Sequence, residues 1–236
     1  MSTLSRYFWK SLGKNQREAL LGFLPEIARS GVVDTLQGKP YPRCFIETSS
    51  LFIHIPKCAG SSISEALYGG YLPGHVSSLW YQQSFPEHYQ SAFKFSVIRN
   101  PWDRAYSAYS FLRNNRETKR GSDFHDYVEK ADSFGDFLEQ WLTAETAERQ
   151  IHFVPQWKFI SDRYGCINVD YLCRHENLAE SFQYVCERLG MDVNFSMTNT
   201  STREASYVDQ YDAKSRDLVA RVYARDIKLF DYQFGG

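Results

Sequence analysis

Short apolar runs alternate with amphipathic segments along this chain from about residue 50 onward. Residues 51–55 and 93–98 are apolar runs rich in β-branched and aromatic side chains, which is typical of buried strands. Residues 166–172 alternate apolar and polar positions with the two-residue period of a strand. The pattern therefore predicts three strands, each followed by a segment with helical spacing.

The first of these helical segments comes directly after the first strand. Residues 61–68 place Ile63, Ala66 and Leu67 on one face, as an amphipathic helix requires. Gly69 follows immediately, and glycine at that position commonly ends a helix in the left-handed conformation. A strand, a short loop and a helix are thus predicted in succession.

Later helices have similar start and stop signals. Pro101 suits the first position of a helix, and Ser133 with Asp136 resembles a capping box. Gly190 closes a helix that begins near Leu178, and residues 211–230 predict one last helix. The helices that begin near Pro101, Ser133 and Leu178 each have an apolar stripe. In chain order, these stripes are Ala105, Tyr106, Tyr109 and Leu112; Phe134, Phe137, Leu138, Trp141 and Leu142; and Leu178, Phe182, Val185 and Leu189.

Strands that alternate with helices predict an α/β fold with a mainly parallel sheet. The 236 residues can bury an ample core, and we expect residues 1–236 to form a single domain. Residues 1–45 are weakly patterned and interrupted by three prolines, so they predict a short helical lead-in and a loop. Ligands of such sheets bind at the carboxyl ends of the strands. The loops that follow the first two strands are therefore the candidate site.

Composition limits the functions that this chain can have. The net charge is −1, so no global charge favours nucleic acid or a membrane, and any anion site must be local. The five cysteines form no C-x-x-C pair, which favours unpaired thiols in a reducing compartment over a disulfide framework or a zinc site. No apolar stretch reaches the ~18 residues of a membrane span. We expect a soluble, cytoplasmic protein, with an anchor outside these residues as the open alternative.

The first candidate loop is the segment HIPKCAGSSI, residues 54–63. A strand, a tight turn and a helix N-terminus present free backbone N–H groups, and the helix dipole adds to their attraction for an anion. Lys57 adds a positive charge, Gly60 permits close backbone approach, and Ser61 and Ser62 add hydroxyl donors. The order differs from the G-x-x-x-x-G-K-[ST] pattern of the standard phosphate loop. The alternative is an ordinary strand-to-helix turn with a capping serine.

The second candidate loop is VIRNPWDRAYSAY, residues 97–109. Arg99 lies just past the strand, and Ser107 lies about two helical turns further along. A guanidinium and a hydroxyl in this arrangement can grip one phosphate group between them. In the alternative interpretation, Arg99 pairs with Asp103 and Ser107 only lines a helix face.

Together the two loops resemble the sulfotransferase superfamily that uses 3′-phosphoadenosine-5′-phosphosulfate, most closely its carbohydrate branch. The family patterns are PK-T-A-G-T-S and R-D-P-x-x-R-x-x-S-x-Y. The resemblance implies a P-loop-like three-layer sandwich whose central, mainly parallel sheet is flanked by helices. It also implies a 5′-phosphosulfate site and a 3′-phosphate site. The first comprises Lys57, Cys58, Ala59, Gly60, Ser61 and Ser62, and the second comprises Arg99 and Ser107.

Two positions depart from the family patterns. Cys58 stands where threonine is common, which removes one hydroxyl contact, and Asn100 stands where aspartate is common, which removes a negative charge. Neither is a principal phosphate donor, so we expect cofactor binding to persist. The resemblance does not identify the acceptor beyond its class, a carbohydrate, and it leaves the oligomeric state open.

Four further segments extend the resemblance beyond the two loops. RHENL at residues 174–178 and YARDIKLFDY at residues 223–232 resemble a strand end and a terminal motif of the family. HFVPQ resembles a substrate-side segment, which makes His152 a substrate-contact candidate. NTSTREASY resembles a loop that closes over the cofactor and implies Ser201 and Arg203 as contacts, with plain surface as the alternative.

A transferase of this kind also needs a base, because the acceptor hydroxyl loses its proton as it attacks. Histidine suits this role, since its pKa lies near ~6.5, and GHVSS around His75 resembles the segment that carries the catalytic histidine of uronosyl 2-O-sulfotransferases. We predict His75 as the general base, with His152 as the second candidate. Lys57 would stabilise the charge that builds on the bridging oxygen. This scheme requires no metal.

The sequence thus predicts a sulfotransferase that moves a sulfuryl group from 3′-phosphoadenosine-5′-phosphosulfate to an acceptor hydroxyl and releases 3′,5′-adenosine bisphosphate. Two alternatives remain. One is a P-loop kinase-like enzyme. Two features argue against it: the lysine precedes the glycine of the loop, and no clear carboxylate for binding magnesium lies nearby. The other is a non-catalytic nucleotide-binding protein of the same fold.

Overall fold

The computed structural model describes residues 3–114, 123–193 and 206–236. Eighteen named helices and strands alternate along these ranges. They are α1 Thr3–Ser11, α2 Lys14–Gly22, α3 Glu26–Gln37, α4 Arg43–Glu47, β1 Ser50–Ile53, α5 Gly60–Tyr68, α6 Ser78–Ser84, α7 Pro86–Ser91, β2 Phe93–Ile98, α8 Pro101–Asn114, α9 Asp123–Lys130, α10 Phe134–Trp141, α11 Ala144–Ala147, α12 Trp157–Ile160, β3 Tyr171–Arg174, α13 Leu178–Leu189, α14 Ala213–Val222 and α15 Ala224–Phe230.

Three parallel strands in the order β1-β2-β3 form the sheet. Ser50 pairs with Phe93, and Phe95 pairs with Tyr171. Every residue of β1 is buried. Because successive side chains of a strand point to opposite faces, both faces of the sheet are covered. The predicted α/β fold, with a parallel sheet flanked by helices, is confirmed.

Four predicted helix boundaries are also confirmed. Helix α5 ends at Gly69, whose φ of 58° is left-handed, and α13 ends at Gly190 with φ 65°. Pro101 is the first residue of α8. Ser133 caps α10 by accepting a hydrogen bond from the Asp136 N–H group. These local signals therefore place the helices that follow both candidate loops.

Two sequence predictions for the C-terminal half are wrong in position. The third strand is Tyr171–Arg174, because residues 161–170 form a turn bridged by Ser161 and Ile167, and pairing with β2 starts only at Tyr171. The single last helix is two helices, which are separated at Tyr223. Tyr223 has φ −105° and ψ 24°, and its buried hydroxyl donates to the carbonyl of Phe153.

The N-terminal lead-in is more helical than the sequence predicted. Residues 3–47 contain the four helices α1 to α4 instead of one short helix and a loop. Two of the three prolines lie at helix N-caps, at Pro25 and Pro42, so they begin helices here and do not interrupt them. Among the described residues, no helix is long and apolar enough to cross a bilayer.

Candidate active site

The loop between β1 and α5 turns sharply through two residues with positive φ. Lys57 has φ 67° and Ala59 has φ 58°, a region that non-glycine residues rarely adopt. Ala59 is the N-cap of α5 and gives no side-chain cap. The first N–H groups of a helix have no partner inside the helix. Those of Gly60 and Ser61 are therefore directed at the loop, where the helix dipole also favours an anion.

Glycine is needed at position 60 for a different reason from the one that the sequence suggested. A Cβ atom at residue 60 would lie 1.8 Å from Nε2 of His54. The close approach is therefore that of the His54 imidazole to the first turn of α5. His54 directly follows the last residue of β1, Ile53, so its ring fixes the start of α5 relative to the sheet. No larger residue fits unless this ring moves.

The side chains of this loop point in different directions. Lys57 is half-buried, and its Nζ lies 3.9 Å from the ring centroid of Phe111 in α8. Ser61 is exposed and Ser62 is buried. The Cys58 thiol points inward and donates to Oε1 of Gln156 at 3.4 Å. Burial raises the pKa of Cys58 to about 12, so it stays a neutral thiol, and only its backbone can line the cradle.

Arg99 joins the second loop to the first. Its Nε donates to the Asp103 carboxylate at 2.7 Å, and its Nη1 donates to the carbonyl of Lys57 at 3.0 Å and to the Ser107 hydroxyl at 3.2 Å. Arg99 and Ser107 are both buried. The pairing with Asp103 that the alternative interpretation predicted does occur. The same guanidinium also reaches Ser107 and the first loop, so Ser107 is more than a helix-lining residue.

The side chain of Gln156 forms hydrogen bonds with both loops. Its Oε1 accepts from the Arg99 N–H group at 2.9 Å and from the Cys58 thiol, while its Nε2 donates to the Arg99 carbonyl at 2.8 Å. The backbone N–H groups of Gln156 and Trp157 in turn donate to the carboxylate of Asp226 at 2.8 and 2.9 Å. Gln156 and Asp226 are fully buried, and burial raises the pKa of Asp226 to about 6.

Arg104 places a second buried cation beneath the first loop. Its Nε donates to the carbonyl of Pro56 at 3.0 Å, and the residue is buried. Its Nη2 atom is buried with no hydrogen-bond partner among the described residues. A buried guanidinium with an unused donor keeps the surroundings electropositive, since little water is present to screen it.

Three histidines cluster beside the first loop. The ring centroids of His54 and His75 are 4.5 Å apart, and those of His75 and His152 are 6.1 Å apart. Nδ1 of His75 lies 3.2 Å from the carbonyl oxygen of His54. A carbonyl can only accept, so Nδ1 of the neutral ring carries the hydrogen. The lone pair of the imidazole is therefore on Nε2, which is the form that a general base requires.

The pKa values distinguish these histidines. Burial lowers the pKa of His75, and the Arg104 and Lys57 charges lower it further against the opposing hydrogen bond to His54. Burial and the charges of His75, Lys57 and Arg104 lower the pKa of His152 to about 3. Burial does the same for His54, again to about 3. All three rings are neutral at pH 7, and His152 is too weak a base to take a proton readily.

The structure thus brings together Lys57, Ser62, Arg99, Ser107 and the two candidate bases. Ser201 and Arg203 lie outside the described residues. Sequence reasoning missed the roles of Arg104, Gln156 and Asp226, although each lies in a segment that carried the resemblance. Gln156 lies in HFVPQ, which the resemblance assigned to the substrate, but here it supports the loops.

The donor set suits a ligand with several negative charges. Backbone N–H groups, two guanidinium groups, an ammonium and hydroxyls converge here, and the Asp103 carboxylate is already engaged by Arg99. A nucleotide with phosphate groups at both ends therefore fits the chemistry of the two loops. In the described ranges, no group of His, Cys, Asp and Glu side chains could hold a metal ion.

Comparison with known proteins agrees with this geometry. A profile of the sulfotransferase family matches residues 47–233. Carbohydrate sulfotransferase 10 of Rattus norvegicus is 29% identical over 174 residues, which are 60% of this chain and 47% of that protein. The Homo sapiens protein of that name is 28% identical over 174 residues, with the same shares. The chain therefore matches about half the length of these curated relatives. No solved structure gives a significant match.

Proposed function

This chain belongs to the sulfotransferase family, and we propose that it transfers a sulfuryl group from 3′-phosphoadenosine-5′-phosphosulfate to a hydroxyl group of a carbohydrate. The observation that carries the proposal is the Arg99 guanidinium, which contacts both Ser107 and the carbonyl of Lys57. Through it, the two anion loops form one continuous site beside His75. A bound nucleotide with 5′ and 3′ phosphate groups needs such a pair of loops.

The residues of the two loops would hold this donor, which supplies an activated sulfuryl group when bound. The N–H groups at the start of α5 and the Lys57 ammonium suit its 5′ end, and Arg99 with Ser107 suits its 3′-phosphate. Nζ of Lys57 lies 3.9 Å from the ring centroid of Phe111, at the mouth of the first loop. A positive charge in this position would stabilise negative charge that develops on a leaving oxygen.

His75 supplies the proton acceptor. As the acceptor oxygen bonds to sulfur, its proton passes to Nε2 of His75, and the bond from sulfur to the phosphate oxygen breaks. The His54 carbonyl holds the ring in the required tautomer through Nδ1. His152 remains neutral and can donate or accept one hydrogen bond to the acceptor, which suits a substrate contact better than a base.

Two considerations bear on the alternatives. The family match disfavours a P-loop kinase-like enzyme, as does the position of Lys57 ahead of the glycine. The relatives named above are carbohydrate sulfotransferases, which supports a carbohydrate acceptor. A non-catalytic nucleotide-binding protein would keep the two loops but would not need His75 in the tautomer of a base.

Calorimetric titration with 3′,5′-adenosine bisphosphate tests the cofactor assignment. We expect tight binding by the wild type, binding at least about tenfold weaker for Lys57→Ala and for Arg99→Ala, and no competition by ATP with magnesium. Lys214→Ala is the matched control, because Lys214 is exposed and pairs with Glu139 on another helix. Preference for ATP with magnesium, or no bisphosphate binding, contradicts the proposal.

Transfer of labelled sulfate to a panel of carbohydrates then separates an enzyme from a binding protein. We expect product with the wild type and almost none with His75→Gln, while both bind the bisphosphate equally. If the wild type binds the bisphosphate but transfers to no member of a broad panel, the non-catalytic alternative gains support.

A further inference from the structure

The N-terminal helices carry an apolar groove that the catalytic site does not use. Helices α1, α2 and α3 enclose about 500 Å³ between the side chains of Phe8, Trp9, Leu20, Leu21, Leu24 and Leu36. These helices precede residue 47, where the family match begins. The groove is therefore a feature of this chain outside the part that it shares with the family.

Exposed apolar side chains are concentrated in α1 and α2 and directly after α2, and two of them, Phe8 and Leu20, line the groove. Phe23 is 87% exposed, Phe8 62% and Leu20 46%. With Tyr7, residues 7–23 contribute four of the eleven large hydrophobic side chains that are exposed among the described residues. Isolated exposed apolar residues are ordinary on a protein surface, whereas a contiguous cluster marks a site of interaction.

Helix α2 shows that this region has incomplete packing of its own. It contains nine residues, and none of them is buried. A helix of this length is marginal in water by itself, and most helices gain their stability by packing an apolar face. Leu20 and Leu21 provide such a face, which is open towards the groove. A partner surface that covers the groove would complete the packing of α2.

The charge of this region identifies the partner. Residues 1–24 contain four basic residues and one acidic residue, although the chain as a whole has net charge −1. Arg17 lies over the ring of Trp9 in the groove, Lys10 is exposed, and Lys14 is exposed with its Nζ 3.8 Å from the Glu18 carboxylate. Acidic residues on α3 are already paired, Glu26 with Arg29 and Asp34 with Lys39. The surface around the groove is therefore basic.

We propose that helices α1 and α2 form a peripheral docking surface for an anionic lipid bilayer. Apolar and aromatic side chains next to basic ones are the signature of helices that lie in the membrane interface. A symmetric contact with a second copy of this chain would place the same basic surface against itself, which like charges oppose. A bilayer instead offers apolar depth for Phe8 and Phe23 and negative headgroups for Lys10 and Lys14.

Sedimentation of the full-length chain with vesicles tests the proposal. We expect binding to vesicles of equimolar phosphatidylcholine and phosphatidylglycerol, and little binding to pure phosphatidylcholine. The double variant Phe8→Ser, Phe23→Ser removes the apolar contact and should bind at least about tenfold more weakly. Lys10→Glu with Lys14→Glu should have a similar effect and should add to the salt sensitivity, since each cation contributes about fivefold.

Tyr164→Ser is the matched control, because Tyr164 is a similarly exposed aromatic residue, 74% exposed, outside the N-terminal helices. Binding of 3′,5′-adenosine bisphosphate by each variant shows that the fold is intact, and this readout does not depend on lipid. Failure to bind the anionic vesicles overturns the proposal. So does vesicle binding that the Phe8 and Phe23 changes leave intact, or a lipid-free dimer that these changes dissociate.

Discussion

The two loops at the carboxyl edge of the sheet are prepared for an anion in different ways. The first, residues 54–63, offers backbone N–H groups at a helix start that no side chain caps, and it holds them in place by the packing of His54 on Gly60. The second offers the side chains of Arg99 and Ser107, and Arg99 already donates hydrogen bonds to both Ser107 and Asp103. The first loop therefore depends on shape, and the second on a buried hydrogen-bond network.

This difference has a consequence for substitutions. In the first loop, a single methyl group added at Gly60 clashes with the His54 ring, whereas changes to exposed side chains such as Ser61 should have little effect on the free energy of unfolding. In the second loop, truncation of Arg99 or Ser107 leaves a buried partner without its hydrogen bond, which lowers the free energy of unfolding each time. Substitutions can therefore separate these two kinds of support from each other and from the chemistry.

The largest expected effect is a loss of turnover in His75→Gln, a change that leaves both loops intact. His75→Gln removes the proton acceptor, so turnover should fall by roughly 1,000-fold while bisphosphate affinity stays the same. The wild-type rate should fall with acid only below the ordinary histidine pKa of ~6.5, because burial lowers the pKa of His75 and the base is active when unprotonated. Rate measurements across pH check both statements.

His88→Gln is the control for that experiment, since His88 is an exposed histidine on α7. An acid limb centred above ~6.5, or a His75→Gln enzyme with wild-type turnover, would show that another group takes the proton.

Gly60→Val should have the largest effect on binding. Its side chain would occupy the place of the His54 ring, shift the start of α5, and weaken bisphosphate binding by roughly 100-fold. We expect partial recovery in the double variant Gly60→Val, His54→Ala, because the alanine vacates the space. Calorimetry measures both affinities.

Gly22→Val is the matched glycine control, because a Cβ at residue 22 has no atom within 4 Å. If His54→Ala restores nothing, the account of Gly60 as a packing position for His54 is wrong.

Arg99→Lys tests the second loop by keeping the charge and removing the planar fork. A lysine ammonium cannot reproduce the directed contacts with Asp103, Lys57 and Ser107 together, so bisphosphate binding should weaken by roughly 30-fold. Ser107→Ala should cost less, about fivefold, because it removes one neutral partner. Affinity in Arg99→Lys equal to the wild type would indicate that the charge alone matters.

Gln156→Leu should weaken binding less than Gly60→Val or Arg99→Lys, but it should affect both loops at once. It removes the bonds to the backbone of Arg99 and to the Cys58 thiol, so we expect about tenfold weaker binding and a stability loss of about 2 kcal/mol. Gln183→Leu is the control, since Gln183 is exposed and bonds only within its helix, to Glu187.

Thermal unfolding and calorimetry on the same samples distinguish the two roles of Gln156. A loss of stability with unchanged affinity at a temperature well below unfolding would make Gln156 a core residue that does not position the loops.

Sequence patterns sufficed for the elements that local interactions decide. The helices after Gly60 and Pro101, and the glycine ends at Gly69 and Gly190, follow from spacing and caps within a few residues. The third strand was placed several residues too early because alternation between residues 166 and 172 also suits a turn. Only pairing with β2 decides where that strand begins.

The sequence by itself also determined which residues make up the candidate site, since the two motifs contain Lys57, Arg99 and Ser107. The tertiary structure decided how those residues are supported. Gln156 forms hydrogen bonds with Arg99, which is 57 positions away in the sequence, and with Asp226, which is 70 positions away. The tertiary structure also gives the two candidate bases different surroundings, since burial and nearby charges lower the pKa of His152 to about 3. The periodicity of a sequence reflects the spacing of residues within one helix or strand. The burial of a residue and the charges around it depend instead on every element that packs against it.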